Sequence, residues 1–175
     1  MWLARVPMPA GPVYSIHQYL WSYFDLDRGE PRPFLYRIES DGIVMLSRIK
    51  PSCPARCIEI EAGRAYLFEA LISPVNGGHR AGAKKNWRAI EGNEARRAWL
   101  VRRVDGAELR FVHFFDREPL RFLRPGGIRV LVTRCVARGV FYVRDRAAFT
   151  EAVLRGPGKG KVWGCGLIYL PEIMA

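Results

Sequence analysis

FLYRIESDGIVMLSRI, residues 34–49, is the stretch on which the fold turns. Two apolar runs, Phe34–Glu39 and Ile43–Ile49, flank Ser40-Asp41-Gly42. An Asp-Gly pair between such runs is a strong hairpin signal, because the turn needs backbone conformations that these residues adopt at little cost. Upstream, Val13, Ile16, Leu20 and Phe24 recur at helical spacing, so a helix is expected from Val13 to Phe24. Before it, Trp2–Met8 is a short β-prone run, ended by Pro7, Pro9 and Gly11-Pro12. Asp25–Pro33 reads as a polar turn, and Ala65–Ser73 as a further strand. The order β, α, β, β, β is that of a ferredoxin-like unit, the layout also used by RNA-recognition modules.

The second half follows the same logic. A helix is expected over Glu94–Val104, with strands at Leu109–Phe115, Gly127–Ala137 and Val140–Val143. A short helix beginning at Asp145 and ending near Leu154, and a last strand at Leu167–Leu170, complete it. The chain is therefore expected to be α+β, with two tandem ferredoxin-like (RRM-like) units at 1–75 and 92–175. Between them, 76–91 loses any apolar period and reads as a basic linker or hairpin.

Charge narrows the partners. Lys and Arg number 28 against 17 Asp and Glu, a formal net charge of +11. Such a surplus attracts polyanions, of which nucleic acid and an anionic membrane surface are the usual ones. Arg predominates over Lys, and its planar fork suits phosphate. No apolar run is long enough for a signal-peptide core or a membrane span, and a cytoplasmic location is expected. Cys53, Cys57, Cys135 and Cys165 are too irregularly spaced for a disulfide framework and lack the companions of a zinc site. Neither a metal site nor a cofactor is expected.

Three features bear on chemistry. His17 falls just off the edge of the apolar stripe of the first helix, with Tyr14 three residues before it on the same border. A satisfied structural histidine and an imidazole aimed at a groove are both open readings. GPGKGKVWGCG, residues 156–166, holds five glycines and two lysines. Its backbone N–H groups and Lys159 and Lys161 suit an anion, although a flexible basic turn has the same composition. Arg80, Lys84, Lys85 and Arg88 surround Trp87, and an RNA-binding segment and a solvated charged loop share that pattern. His79 falls in the same stretch, and His113 reads as a packed strand histidine with a hydrogen-bond partner. There is no HExxH, GxSxG, Rossmann or P-loop signature.

In combination, YSIHQYLW (14–21), PFLYRIE (33–39), the hairpin ending in Ser47-Arg48, and GPGKGKVWGCGLIYL (156–170) closely resemble the CasE/Cse-type branch of the CRISPR repeat-processing endoribonucleases. The resemblance covers nearly the whole chain. It implies a metal-independent nuclease that binds the hairpin of a CRISPR repeat transcript and cuts at the base of the stem, leaving 5′-hydroxyl and 2′,3′-cyclic phosphate ends. It also implies that the protein stays on the mature crRNA as a subunit of the interference complex. His17 and Tyr14 carry over as catalytic residues; Gly156, Gly158, Lys161, Gly164, Gly166 and the Arg80, Lys84, Lys85, Arg88 segment carry over to RNA binding, to which the loop's composition adds Lys159. Pro157 and Gly160 depart from the family's loop pattern. The resemblance leaves open whether His17 acts as base or acid. A non-cleaving crRNA-binding subunit of the same fold is the alternative, and a basic protein of ribosome or RNA maintenance a third reading.

Overall fold

The computed structural model describes residues 1–11, 13–26, 30–77, 87–123 and 129–175, the side chains of 13, 14, 122 and 123 excepted. Two four-stranded antiparallel sheets form its frame. The first contains β1 (Trp2–Val6), β2 (Phe34–Glu39), β3 (Gly42–Ser47) and β4 (Ala55–Cys57), in the order β2-β3-β1-β4. The hairpin of the opening stretch closes as expected, with Glu39 opposite Gly42 and Phe34 opposite Ser47. Gly42 is required by a close approach: a Cβ there would stand 2.6 Å from the Val6 carbonyl oxygen.

Helix α1 (Val13–Trp21) covers one face of this sheet, and Ile16 and Leu20 bury against Ala4, Val6, Phe34, Tyr36, Ile43 and Met45. The helix stops three residues short of the sequence expectation. Phe24 lies in the following turn, its N–H donating to the Trp21 carbonyl (3.0 Å), and its ring stacks on Phe34 at 5.3 Å. It therefore serves the same apolar cluster from outside the helix.

The second sheet has the order β10-β5-β9-β8, from β5 (Ala65–Ile72), β8 (Ala107–Leu123), β9 (Arg129–Val143) and β10 (Ile168–Tyr169). Helix α2 (Asn93–Val101) lies between β5 and β8 in the chain, and α3 (Arg146–Arg155) between β9 and β10. This is a complete split β-α-β unit. The strand at Ala65–Ile72, expected to close the first unit, instead pairs with β9 from Ala65↔Tyr142 to Ile72↔Cys135 and opens the second. Its place in the first sheet is taken by β4, whose three residues pair with β1. So short a strand leaves no alternation to read.

The two strands expected at 127–137 and 140–143 are one continuous β9, paired with a β8 that extends well beyond 109–115. β6 (Val75–Gly77) and β7 (Trp87–Ala89) pair as a separate two-stranded ribbon, and residues 78–86 of the basic segment lie outside the described residues. The last strand is only two residues long and leads into α4 (Pro171–Met174). Asp145 caps α3, accepting from the Ala148 N–H at 3.0 Å.

The larger core joins both sheets. Leu3, Leu35, Val44 and Leu46, on the face opposite α1, pack in one cluster with Tyr66, Phe68, Trp99, Phe141, Phe149 and Val153. β3 is consequently buried along both faces. All four cysteines are free, and burial pushes the Cys165 thiol up to about 12. No described helix is long and apolar enough to cross a membrane.

Candidate catalytic pocket and nucleic-acid interface

His17 is half-buried on the border of α1, as its position just off the apolar stripe implies. The Trp21 indole N–H, one turn on, donates to its Nε2 at 3.3 Å, and the two rings meet edge-on. In this arrangement Nε2 is the acceptor, so the neutral imidazole carries its proton on Nδ1. Burial, and then the Arg32 charge, hold the His17 pKa below its ordinary 6.5. Both effects disfavour the imidazolium, so His17 is neutral at neutral pH. Tyr14 lies in the first turn of α1; its side chain is outside the described residues.

Arg32 escapes a reading by motif, yet it is the pivot of the site. It stands between Pro31 and Pro33, whose rings restrict the backbone on both sides of it. Its guanidinium carbon sits 5.7 Å from the centroid of Phe34, and the His17 ring lies 5.8 Å from the same aromatic. The imidazole and the guanidinium thus share one aromatic neighbour. Nη1 of Arg32 is buried and has no hydrogen-bond partner among the described residues.

Beside this pair opens a pocket of about 320 Å³, lined by Arg32, Phe34, Arg48, Glu151, Arg155 and Lys161, among others. Arg48 is engaged by Glu151 in a two-pronged ion pair (2.7 and 2.6 Å). Arg155 is held by Asp105 (2.8 Å) and by the Arg103 carbonyl. Arg32 and Lys161 have no such carboxylate among the described residues. Burial first, then the charges of Arg32 and Arg155, push the Lys161 pKa down. A pocket of this kind favours an anion.

The glycine loop delivers Lys161. After α3, residues 156–160 turn back and a single 3₁₀ turn, Lys161–Trp163, packs against α1. The buried Tyr36 hydroxyl donates to the Val162 carbonyl at 2.6 Å and ties the turn to the first sheet. The glycines serve this fit. At Gly158, with φ +78°, a Cβ would stand 2.7 Å from the Trp99 ring, a clash as well as a strained backbone. Gly156, Gly164 and Gly166 are buried, Gly158 is half-buried, and Lys159 alone of the sequence-selected loop residues is exposed. Lys159 places its Nζ 3.1 Å from the centroid of Trp87, linking the loop to the β6–β7 ribbon.

Of the basic segment, Arg88 is exposed on β7 opposite Asn76, whereas Arg80, Lys84 and Lys85, with His79, lie outside the described residues. His113 sits mid-β8 with its ring edge-on to Phe111 at 4.6 Å. Among the described residues, no three His, Cys, Asp or Glu side chains gather as a metal site.

A model of the family described as CRISPR associated protein matches residues 4–171. The chain belongs to that family. Comparison with curated protein sequences finds no match. The fold of this CRISPR-associated protein is shared with Cas6e from Escherichia coli str. K-12, at a TM-score of 0.77 and 22% identity, covering 97% of this chain and 98% of that one. It is shared too with Thermus thermophilus Cse3 bound to an RNA representing a pre-cleavage complex (TM-score 0.72, 20% identity, 97% of each chain). A chain of a CRISPR RNA-guided surveillance complex also matches (TM-score 0.70, 21% identity, 97% and 98% coverage).

Proposed function

We propose that this CRISPR-associated protein is an endoribonuclease acting on CRISPR repeat RNA. It grips the repeat stem-loop, cuts once at the base of the stem, and stays with the crRNA as a subunit of a multi-subunit interference complex in the cytoplasm. The observation that carries this reading is a neutral histidine near a pocket in which Arg32 and Lys161 have no carboxylate partner among the described residues. His17 comes from the first unit and Lys161 from the second, and the Arg32 charge acts on both. Family membership and a fold shared with Cse3, solved with RNA as a pre-cleavage complex, supply the substrate class.

In the proposed reaction the RNA's own 2′-hydroxyl attacks the neighbouring phosphorus. The 2′-oxygen–phosphorus bond forms as the phosphorus–5′-oxygen bond breaks, leaving a 2′,3′-cyclic phosphate and a 5′-hydroxyl. The lowered pKa of His17 favours the role of general base, its neutral imidazole taking the 2′ proton. Trp21 must then release Nε2, the nitrogen it now occupies. Tyr14 positions the reacting ribose or phosphate, and Lys161 offsets charge building on the phosphorane. Lys159, Arg88 and the Arg80, Lys84, Lys85 segment grip the backbone of the A-form stem, whose deep major groove side chains read poorly. Gly156, Gly158, Gly164 and Gly166 shape the loop that holds the lysines. Neither a metal nor a cofactor enters.

The test is His17→Ala. Single-turnover cleavage of the cognate repeat RNA is expected to fall by ~10³-fold, with a chelator leaving the wild-type rate unchanged. Affinity for a 2′-deoxy, uncleavable hairpin is expected to stay within about threefold, since the histidine supplies proton transfer rather than grip. Wild-type-like cutting by the mutant removes His17 from the chemistry. Absence of a cyclic-phosphate product from the wild type would make the protein a binding subunit only.

A further inference from the structure

We infer that Arg32 is a catalytic residue that binds the scissile phosphate, donating its buried Nη1–H group to a non-bridging oxygen beside His17. This rests on the endoribonuclease reading above for its substrate, and on the geometry of the pocket for its chemistry.

Among the described arginines, Arg32 is the one whose guanidinium holds a buried nitrogen without a partner. Many described arginines spend their guanidinium groups on carboxylates or carbonyls, as Arg37 does on Glu69, Arg96 on Asp116, Arg144 on Glu108 and Arg134 on the Glu118 carbonyl. Arg32 keeps a buried Nη1 with no acceptor among the described residues. A buried, unpaired charged donor is costly, and such a group persists where an absent partner satisfies it. The missing partner must be an acceptor, because a guanidinium only donates. It must also carry negative charge, because Lys161 shares the pocket and Arg32 and Arg155 already depress its pKa. An RNA phosphate meets both demands.

The location supports catalysis over general grip. The Arg32 guanidinium and the His17 ring lie 5.7 and 5.8 Å from the Phe34 ring centroid, and the Arg32 charge acts on the imidazole, so a phosphate held by Nη1 has His17 in its neighbourhood. Its backbone lies between two prolines, which reduces the reorganisation needed when charge develops. During attack, negative charge grows on the non-bridging oxygens. Arg32 gives up no proton in that step: His17 takes the 2′ proton, solvent protonates the leaving 5′ oxygen, and Arg32 strengthens hydrogen bonds to the phosphorane. Arg32 is also the one charge among the described residues that acts on His17, and it favours the neutral base.

Arg32→Gln and Arg32→Lys test this against the wild type. For Arg32→Gln, the single-turnover rate on repeat RNA is expected to fall by ~10²–10³-fold, with binding of the 2′-deoxy hairpin within about threefold. Arg32→Lys, which keeps the charge but not the fork, is expected to recover about tenfold of that loss. A readout independent of cleavage is the His17 imidazole signal in NMR. Orthophosphate should perturb it in the wild type and not in Arg32→Gln, and the His17 pKa should rise in Arg32→Gln. Cleavage by Arg32→Gln within about threefold of wild type overturns the proposal. So do equal loss in both variants with a lowered melting temperature and an unmoved His17 pKa, which mark Arg32 as structural. If the wild type cuts no repeat RNA, the endoribonuclease reading fails, and the orthophosphate response decides the anion site by itself. Identical responses in wild type and Arg32→Gln overturn it.

Discussion

The two ferredoxin-like units differ by one helix. The second has both: α2 and α3 cover one face of its sheet, while the other face leaves Phe111 and Phe115 about half exposed (52% and 48%). The first has only α1, and residues 48–54 run from β3 to β4 without a helix. Its uncovered face, with Leu3, Leu35, Val44 and Leu46, packs into the core of the second unit, against which α3 also lies. Packing through the face opposite α1 joins the two units in one core. Because α3 contacts β2, the loop that follows α3 reaches α1, which brings Lys161 into one neighbourhood with Arg32 and His17. The pocket draws its lining from both units, with Arg32 and Arg48 from the first and Glu151, Arg155 and Lys161 from the second.

That account can be broken at the seam. The largest expected effect is at Trp99, fully buried in the joint core and in contact range of Gly158. Trp99→Ala should destabilise the protein by about 3–5 kcal/mol, measured by denaturant unfolding with a single transition. Separate melting of two units in this variant would show that the shared core is not what joins them. Gly158→Ala should cost about 1–3 kcal/mol, from a Cβ forced against Trp99 at positive φ. It should also slow cleavage more than it weakens RNA binding, by displacing Lys161.

Tyr36→Phe removes the hydroxyl that donates to the Val162 carbonyl, and about 1–2 kcal/mol of stability should go with it. An unchanged melting curve together with unchanged cleavage would mean that the loop needs no tether to the first sheet. The Arg48–Glu151 pair also crosses the seam, but both side chains are about half exposed. Glu151→Gln should therefore change stability by less than about 1 kcal/mol. The seam is apolar in its energetics despite its bidentate ion pair.

The pH profile sharpens the comparison from the chemical side. With the folded pKa of His17 below 6.5, kcat/KM should be level above about pH 7 and fall as pH drops through that lowered value. An acid limb centred above 6.5 would contradict a neutral base. Trp21→Phe removes a hydrogen bond that the neutral Nε2 accepts, so it should move the limb slightly upward.

Much of this was legible in the sequence. The hairpin at 34–49, the helix bearing His17 and the glycine loop depend on local rules: turn chemistry, helical spacing and backbone freedom act within a few residues. Family resemblance selected His17 and Lys161 from their motifs. Arg32 was not legible, because Pro31-Arg32-Pro33 looks like a polar turn until its neighbours from α1 and the loop are known. Nor was the exchange of β5 for β4, since the alternation of Ala65–Ile72 identifies a strand and not its partner.

By itself, then, the sequence determined the longer elements, the charge that draws a polyanion and the residues able to move a proton. Tertiary structure alone decided that the first unit would lean on the second through the face opposite α1. It alone set the depth at which His17 stays neutral, and left Arg32 with a buried donor and no acceptor among the described residues. The reason is range. Propensity and periodicity are properties of neighbours in the chain, whereas burial, pKa and an unpaired donor depend on residues over a hundred positions apart, as Tyr36 and Val162 are.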